Sequence, residues 1–213
     1  MSTSTFCAVD VGIVNMAVCL VRWTTSPRSP QALQTGRWEV VYWEVSSLTG
    51  SDIRNTAKLL DEVMNYVERR KHVFMAAHIV AIEQQRGRMR TVAQGLYVAL
   101  RGLEHQRVIF QAATAKLAPW TAPKTAPKTA PKTSPMTYAG RKRLAVEIVE
   151  ELLQTKQGAL AFYSAAEKRD DLADALLHAL ACSARVVNVR RKDEASEAAT
   201  AVGNLYEEGE LGA

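Results

Sequence analysis

Residues 6–23 read Phe6-Cys-Ala-Val-Asp-Val-Gly-Ile-Val-Asn-Met-Ala-Val-Cys-Leu-Val-Arg-Trp23. Four apolar residues lead to Asp10, a carboxylate placed where a neutral side chain would pack better. The stretch Phe6–Gly12 therefore reads as a buried strand ending at an acid, and Asn15–Trp23 as its hairpin partner after a turn at Gly12–Val14. Beyond it, Pro27 and Pro30 mark a loop. Arg37–Val45 alternates apolar and polar residues well enough for a third strand, so the chain starts as a β-meander.

Downstream the period changes. Ile53, Ala57, Leu60, Val63 and Val67 recur at three- and four-residue steps, which predicts a helix over Ser51–Val67 with Ser51 as N-cap. His78–Ile82 is a short apolar strand with Glu83 directly after it. Met89–Leu103 reads as a helix and Arg107–Phe110 as another strand. Tyr138–Leu153 carries an apolar stripe at Leu144, Ile148 and Leu152, and Asp171–Ala184 carries one at Leu172, Leu176, Ala179 and Leu180; both read as helices. Between strand and helix lies Thr121-Ala-Pro-Lys, repeated three times and followed by Thr133-Ser-Pro-Met136. Proline at every fourth position forbids helix and sheet, so this is an extended, solvated linker. The tail past about Val186 lacks apolar periodicity and reads as disordered.

Composition bounds the rest. Hydrophobic residues make up 47% of the 213 and charged residues 23%, a globular balance. No apolar stretch approaches the roughly 20 residues that span a bilayer. Met1–Thr5 is polar and uncharged, unlike a secretory signal or an Arg-rich transit segment, so a soluble intracellular protein is expected. Cys7, Cys19 and Cys182 have no C-x-x-C spacing and read as buried, reduced thiols. The net charge of +5 hides an asymmetry: residues 193–213 hold six acids and no Lys or Arg, leaving 27 basic against 16 acidic side chains before them. Such a body favours a polyanionic partner.

Asp10, Glu83, and the pair Asp171 and Asp174 thus stand at the boundaries of three apolar elements. Three residues apart on a helix, Asp171 and Asp174 share a face. Clustered carboxylates repel unless cations neutralise them, and hard divalent ions with oxygen ligands do so. Two such ions about 4 Å apart support phosphodiester cleavage. Taken singly, each acid has an ordinary reading as a cap, a turn residue or a partner of the helix dipole.

Three stretches carry a resemblance. Ala8-Val-Asp-Val-Gly-Ile-Val-Asn-Met-Ala17, Val80-Ala-Ile-Glu-Gln-Gln85 and Lys168-Arg-Asp-Asp-Leu-Ala-Asp-Ala175 resemble the acidic motifs of RuvC-like Holliday junction resolvases, in the variant shared by fungal mitochondria, poxviruses and other large DNA viruses. Tyr138-Ala-Gly-Arg-Lys-Arg-Leu144 resembles that group's junction-contacting element. The resemblance implies an α/β, ribonuclease H-like fold, a five-stranded mixed sheet flanked by α-helices, with the acids at one end. It implies a nuclease domain over residues 1–185 with an insertion at 119–136, and an acidic tail at 186–213. It also implies a homodimer that nicks two opposing strands of a four-way DNA junction using two Mg²⁺ ions, with Mn²⁺ able to substitute, and no small-molecule cofactor. Asp10, Glu83, Asp171 and Asp174 map onto the ligands. Asp170, four residues before Asp174, is the alternative to Asp171, which the family spacing favours. His178, one turn past Asp174, is a secondary candidate as ligand or proton carrier, against the commoner structural role of a helical histidine.

Basic residues supply candidate DNA contacts: Arg86, Arg88 and Arg90 after Glu83, then Lys116, Arg141, Lys142 and Arg143. Bacterial relatives carry an aromatic wedge three residues after the glutamate; here that position is Arg86. Rival readings are an actin-like ATPase or sugar kinase, a non-catalytic junction binder, and a related nuclease acting on hybrids or other branched DNA. The first needs a second domain and a glycine-rich phosphate loop that this chain lacks. The repeat insertion and the N-terminus favour a viral replication site over the mitochondrial matrix or nucleus.

Overall fold

A computed structural model describes residues 3–24, 33, 36–48, 55–103, 107–121 and 136–186. Strands β1 (Ser4–Asp10), β2 (Met16–Trp23) and β3 (Trp38–Ser46) form the expected meander, with antiparallel pairing at both contacts. Strands β4 (Ile79–Gln84) and β5 (Arg107–Ala112) then add in parallel to β1, giving one five-stranded mixed sheet of order β3-β2-β1-β4-β5. Parallel neighbours need crossover connections. Helix α1 (Thr56–Arg69), with the short α2 (Lys71–Met75), supplies the first and α3 (Arg88–Arg101) the second.

Because strand side chains alternate between faces, β1 feeds two cores. Phe6 and Ala8 join one cluster with α5 (Tyr138–Leu153) and α7 (169–186); Cys7 and Val9 join another with α1 and α3. Helices therefore cover both faces, which is why β1 reads as an unbroken apolar run rather than an alternation. Helix α7 is buried almost all round from Leu172 to Ala184. Such a helix is apolar on every side except where a polar residue has a task; here the polar exceptions are Asp174, His178 and Ser183. All three cysteines are buried free thiols, as their sequence surroundings imply. No helix among the described residues is long and apolar enough to cross a membrane.

Several boundaries differ from the sequence expectation. Helix α1 starts at Thr56, capped by Asn55, whose Oδ1 accepts from the backbone N–H groups of Ala57 and Lys58 at 3.0 and 3.2 Å. Its buried face is Leu59, Val63, Tyr66 and Val67, a stripe shifted from the one read through Ala57 and Leu60; the expected cap, Ser51, lies outside the described residues. Strand β4 runs on through Glu83, which pairs with Gln111 in β5, so the acid lies within the sheet rather than after it. A further helix, α6 (Gln157–Ala165), leaves no clear mark in the sequence, since its small residues give little amphipathic contrast. It is held by Tyr163, which stacks on Trp43 of β3 at 5.3 Å. The same Trp43 donates from Nε1 to the Leu172 carbonyl at 3.0 Å and so fixes the start of α7. A 3₁₀ turn (Ala113–Lys116) and a four-residue helix, α4 (Ala118–Thr121), follow β5. The Thr-Ala-Pro-Lys repeats from 122 to 135 and the acidic tail from 187 onward lie outside the described residues.

The end of α1 is pinned to β3 by one cation. The Arg70 guanidinium donates through Nε to Glu44 Oε2 at 2.8 Å, through Nη2 to Glu44 Oε1, and to Ser46 Oγ at 2.9 Å, and lies 4.1 Å over the Tyr66 ring. Burial acts to raise the pKa of Glu44, but Arg70, Tyr42 and Ser46 outweigh it and hold the carboxyl below its ordinary value of 4.5. A depressed carboxylate stabilises the fold above its unfolded pKa, and that contribution fades as pH falls through the folded value. Arg70→Gln is accordingly expected to cost about 1 kcal/mol at neutral pH, for a pair only partly buried. The difference from wild type should shrink below about pH 4. Denaturant titrations at the two pH values check this.

Candidate active site

The register of the parallel strands assembles the site. Val9 pairs with Ile82, so Asp10 and Glu83 fall side by side at the carboxyl ends of β1 and β4, and Glu83 pairs in turn with Gln111 of β5. Side-chain alternation points these positions to the face shared with Ala8 and Ala81, the face that packs on α7. From α7 come Asp171, Asp174 and His178, spaced three and four apart on one side of the helix. Asp10, Glu83, Asp174 and His178 are all buried. Gly12 is dictated by the turn: a Cβ there would stand 2.1 Å from the Asn15 carbonyl oxygen. The Asp-x-Gly pattern thus joins an acid to the one residue that lets the hairpin close behind it.

Two lysines hold this cluster together. The Lys116 ammonium lies 2.7 Å from Asp174 Oδ2 and 3.9 Å from Glu83 Oε1. The Lys142 ammonium lies 2.7 Å from Asp171 Oδ1, 3.0 Å from Asp170 Oδ2 and 3.4 Å from Asp174 Oδ2. Burial works against the charged form of Lys142, but its hydrogen bond to Asp171 and the charge of Asp174 overcome that and raise its pKa above that of a free lysine. Gln85 Nε2 donates to Glu83 Oε2 at 2.8 Å and steadies that carboxylate.

The remaining groups are poorly satisfied. Burial, together with the Glu83 carboxylate beside it, pushes the Asp10 carboxyl up to about 8. His178 is 1% exposed, and neither ring nitrogen has a hydrogen-bond partner among the described residues; Nε2 stands 3.7 Å from Glu83 Oε1. Burial, then repulsion from Lys116, pushes its pKa down to about 4, so the ring is neutral at pH 7. Gln111 Oε1, next to it, is also unpartnered. Uncompensated buried polar groups are costly, and their concentration around acids points to a ligand-binding role.

The structure brings Asp10, Glu83, Asp174 and His178 into one buried cluster, with Asp171 at its edge. Asp170 also meets Lys142, but its side chain is 44% exposed against 14% for Asp171. Arg86, Arg88, Arg90, Arg141 and Arg143 are exposed. Lys116 and Lys142, read from sequence as DNA contacts, are paired with the acids. The sequence gives no sign of that pairing, because each lysine reaches its partners across tens of residues. Nor could sequence spacing reveal Gln111, an ordinary polar residue at a strand end until the sheet places it beneath His178.

No family model and no curated relative matches this sequence. Solved structures do. The yeast mitochondrial Holliday junction resolvase superimposes with a TM-score of 0.56 at 17% identity, over 84% of this chain and 78% of that one. Thermus thermophilus RuvC gives 0.55 at 15% identity, over 90% and 97% of the two chains. The same enzyme in complex with a Holliday junction substrate gives 0.50 at 16% identity, over 88% and 96%. The fold is the ribonuclease H-like fold of RuvC. At these identities the likeness is one of architecture, and the chemistry must be argued from the side chains.

Those side chains suit a hard divalent cation. The donors are carboxylate oxygens, with a neutral imidazole whose nitrogens are unpartnered. Among the described residues, no three acid, histidine or cysteine side chains already converge on a single ion position. Two ammonium groups bridge the acids instead, so the cluster is one in which positive charge stands between carboxylates.

Proposed function

We propose that this protein is a structure-selective endonuclease that resolves four-way DNA junctions by paired, symmetric nicks. The observation that carries the reading is the convergence of Asp10, Glu83 and Asp174 from β1, β4 and α7 into one buried cluster, with Asp171 and two lysine ammoniums against it. The resemblance of the three motifs to those of poxviral, large-DNA-virus and fungal mitochondrial resolvases supports membership of that group and, with it, action at a viral replication site. Asp10, Glu83, Asp171 and Asp174 would hold two Mg²⁺ or Mn²⁺ ions, with Asp171 preferred to Asp170 because it is the less exposed. Bound there, the ions would supply an activated water and stabilise the leaving oxygen.

The chain's own residues do the rest. Gln85 orients the Glu83 carboxylate. Asp10 and Asp174, fixed on a strand end and a helix, present oxygens without moving backbone. Lys116 and Lys142 neutralise the acids in the free protein, and their flexible stems let each ammonium exchange a carboxylate for a phosphate oxygen. Exposed Arg86, Arg88 and Arg90 on one side, and Arg141 and Arg143 on the other, bind the backbone without reading sequence. Symmetric nicks in opposing strands require two such sites related by a twofold axis, hence a homodimer.

The test is to incubate the protein with labelled four-way, flap, RNA–DNA hybrid and linear substrates, with and without Mg²⁺. Paired nicks confined to the junction and dependent on the cation are expected. Cleavage of the hybrid instead would move the reading to another nuclease of this fold, and binding without cleavage to a junction-binding protein.

A further inference from the structure

Of the three buried polar residues on α7, two have a visible reason for their place. Asp174 holds its lysines, and Ser183 closes its hydroxyl on the Leu180 carbonyl of the same helix at 2.6 Å. His178 is different: both ring nitrogens are buried without a hydrogen-bond partner among the described residues. A leucine would fill this position without the cost of an unsatisfied polar group. The backbone there is well tied. Gln111, opposite Glu83 in β5, donates from Nε2 to the His178 carbonyl at 3.5 Å and joins this turn of α7 to the sheet. So anchored, the imidazole faces Glu83, with Nε2 standing 3.7 Å from Oε1.

Glu83 already has its Oε2 fixed by Gln85, which donates at 2.8 Å. Lys116 stands 3.9 Å from Oε1 but is committed to Asp174 at 2.7 Å, so His178 Nε2 is the nearer of the two. A ring buried beside that ammonium is neutral, with one N–H and one lone pair. Against a carboxylate oxygen the lone pair is repelled and the N–H attracted, which places the proton on Nε2. We propose that His178 is a positioning residue whose Nε2–H donates to Glu83 Oε1, so that Gln85 and His178 together fix both oxygens of this carboxylate for a divalent cation. The separation is about 0.5 Å beyond an ordinary N–H···O hydrogen bond. Such contacts are often long in substrate-free active sites and tighten when the site fills. A cation ligand would need the lone pair on Nε2, and a proton carrier would need the ring to change charge; this role needs neither. What the cation then does rests on the nuclease reading, whereas the hydrogen bond to Glu83 does not.

The test uses the full-length protein labelled with ¹⁵N at histidine, first in EDTA and then with MgCl₂. Two-bond ¹H–¹⁵N spectra distinguish the Nε2–H from the Nδ1–H form of a neutral imidazole. The signal lost in His178→Gln identifies His178 among the four histidines. The Nε2–H form is expected in both conditions. Mn²⁺ binding, read from the paramagnetic resonance of the free ion, is then compared in wild type, His178→Met and His178→Gln. Methionine fills the space but cannot donate, whereas glutamine carries an amide N–H near the Nε2 position. Affinity for Mn²⁺ should fall about tenfold in His178→Met, the scale of losing an outer hydrogen bond to a metal ligand, and recover in His178→Gln. A histidine kept for packing alone would leave Mn²⁺ affinity unmoved in the folded variants, and that result overturns the proposal. An Nδ1–H ring, or an Nε2 that ligates Mg²⁺, overturns it from the wild-type spectrum, with no variant needed. Junction cleavage by the wild type, measured in parallel, separates the two readings. Cleavage intact beside any of these contrary results leaves the nuclease reading standing without this role for His178. The expected spectra and affinities from a protein that cuts none of the substrates support the hydrogen bond and overturn the nuclease reading.

Discussion

Asp10→Asn is expected to abolish DNA cleavage and, in the absence of divalent cations, to raise the melting temperature. Asp10 is buried against Glu83, and no lysine is hydrogen-bonded to it, so its carboxyl is pushed up to about 8 by burial and by that neighbour. A carboxyl held that high must take up a proton on folding at neutral pH, whereas an amide of the same shape is neutral already and can donate to Glu83. The gain should be about 1–2 kcal/mol, or roughly 3–6 °C for a chain of this size. Wild-type protein should in turn be stabilised by added Mn²⁺ or Mg²⁺, in proportion to the logarithm of concentration once the site fills, because a ligand that binds only the folded state raises its stability. The variant should lose that response. Thermal melts with and without the cation, beside a cleavage assay, test both halves. Retained cleavage in Asp10→Asn would overturn the catalytic assignment. An unchanged cation response would overturn the assignment of Asp10 as a ligand.

Asp174→Asn should also abolish cleavage, yet with the opposite effect on stability. Asp174 is the acid that both lysines share, at 2.7 Å from Lys116 and 3.4 Å from Lys142. Neutralising it leaves the buried Lys116 ammonium with only Glu83, at 3.9 Å. Removing one partner of a buried pair strands the other charge, and a loss of about 2–4 kcal/mol is expected here. Junction affinity should survive, since the exposed arginines are untouched and Lys142 keeps Asp170 and Asp171 as partners. Filter binding at matched salt, together with a denaturation curve, separates these effects. A variant that binds junctions no better than an unfolded chain would make Asp174 chiefly structural. Opposite stability changes from two acids with one proposed role follow from which of them the lysines reach.

The strands that frame the site are legible in the sequence because each is short, apolar and closed by a turn or a charge. Tyr138–Leu153 matches its expected helix end to end, since leucine and isoleucine repeat at helical spacing between a threonine cap and a glutamine. Where contrast is weak, legibility fails. Helix α6 hides among alanines, and the cap of α1 is four residues past Ser51 because Asn55 accepts two backbone hydrogens.

By itself the sequence determines that Asp10, Glu83, Asp171 and Asp174 are acids at the edges of buried elements, in an order that resembles that of RuvC-like resolvases. That much is local: a carboxylate in an apolar run needs a reason wherever the run goes. Only the tertiary structure decides what surrounds them. The parallel register of β1, β4 and β5 sets Asp10, Glu83 and Gln111 side by side. The packing of α7 lays Asp174 and His178 over them, and Lys116 and Lys142 reach in from separate elements. These contacts join residues up to 95 positions apart, and no spacing rule spans such distances, because they depend on how whole layers stack rather than on any local period.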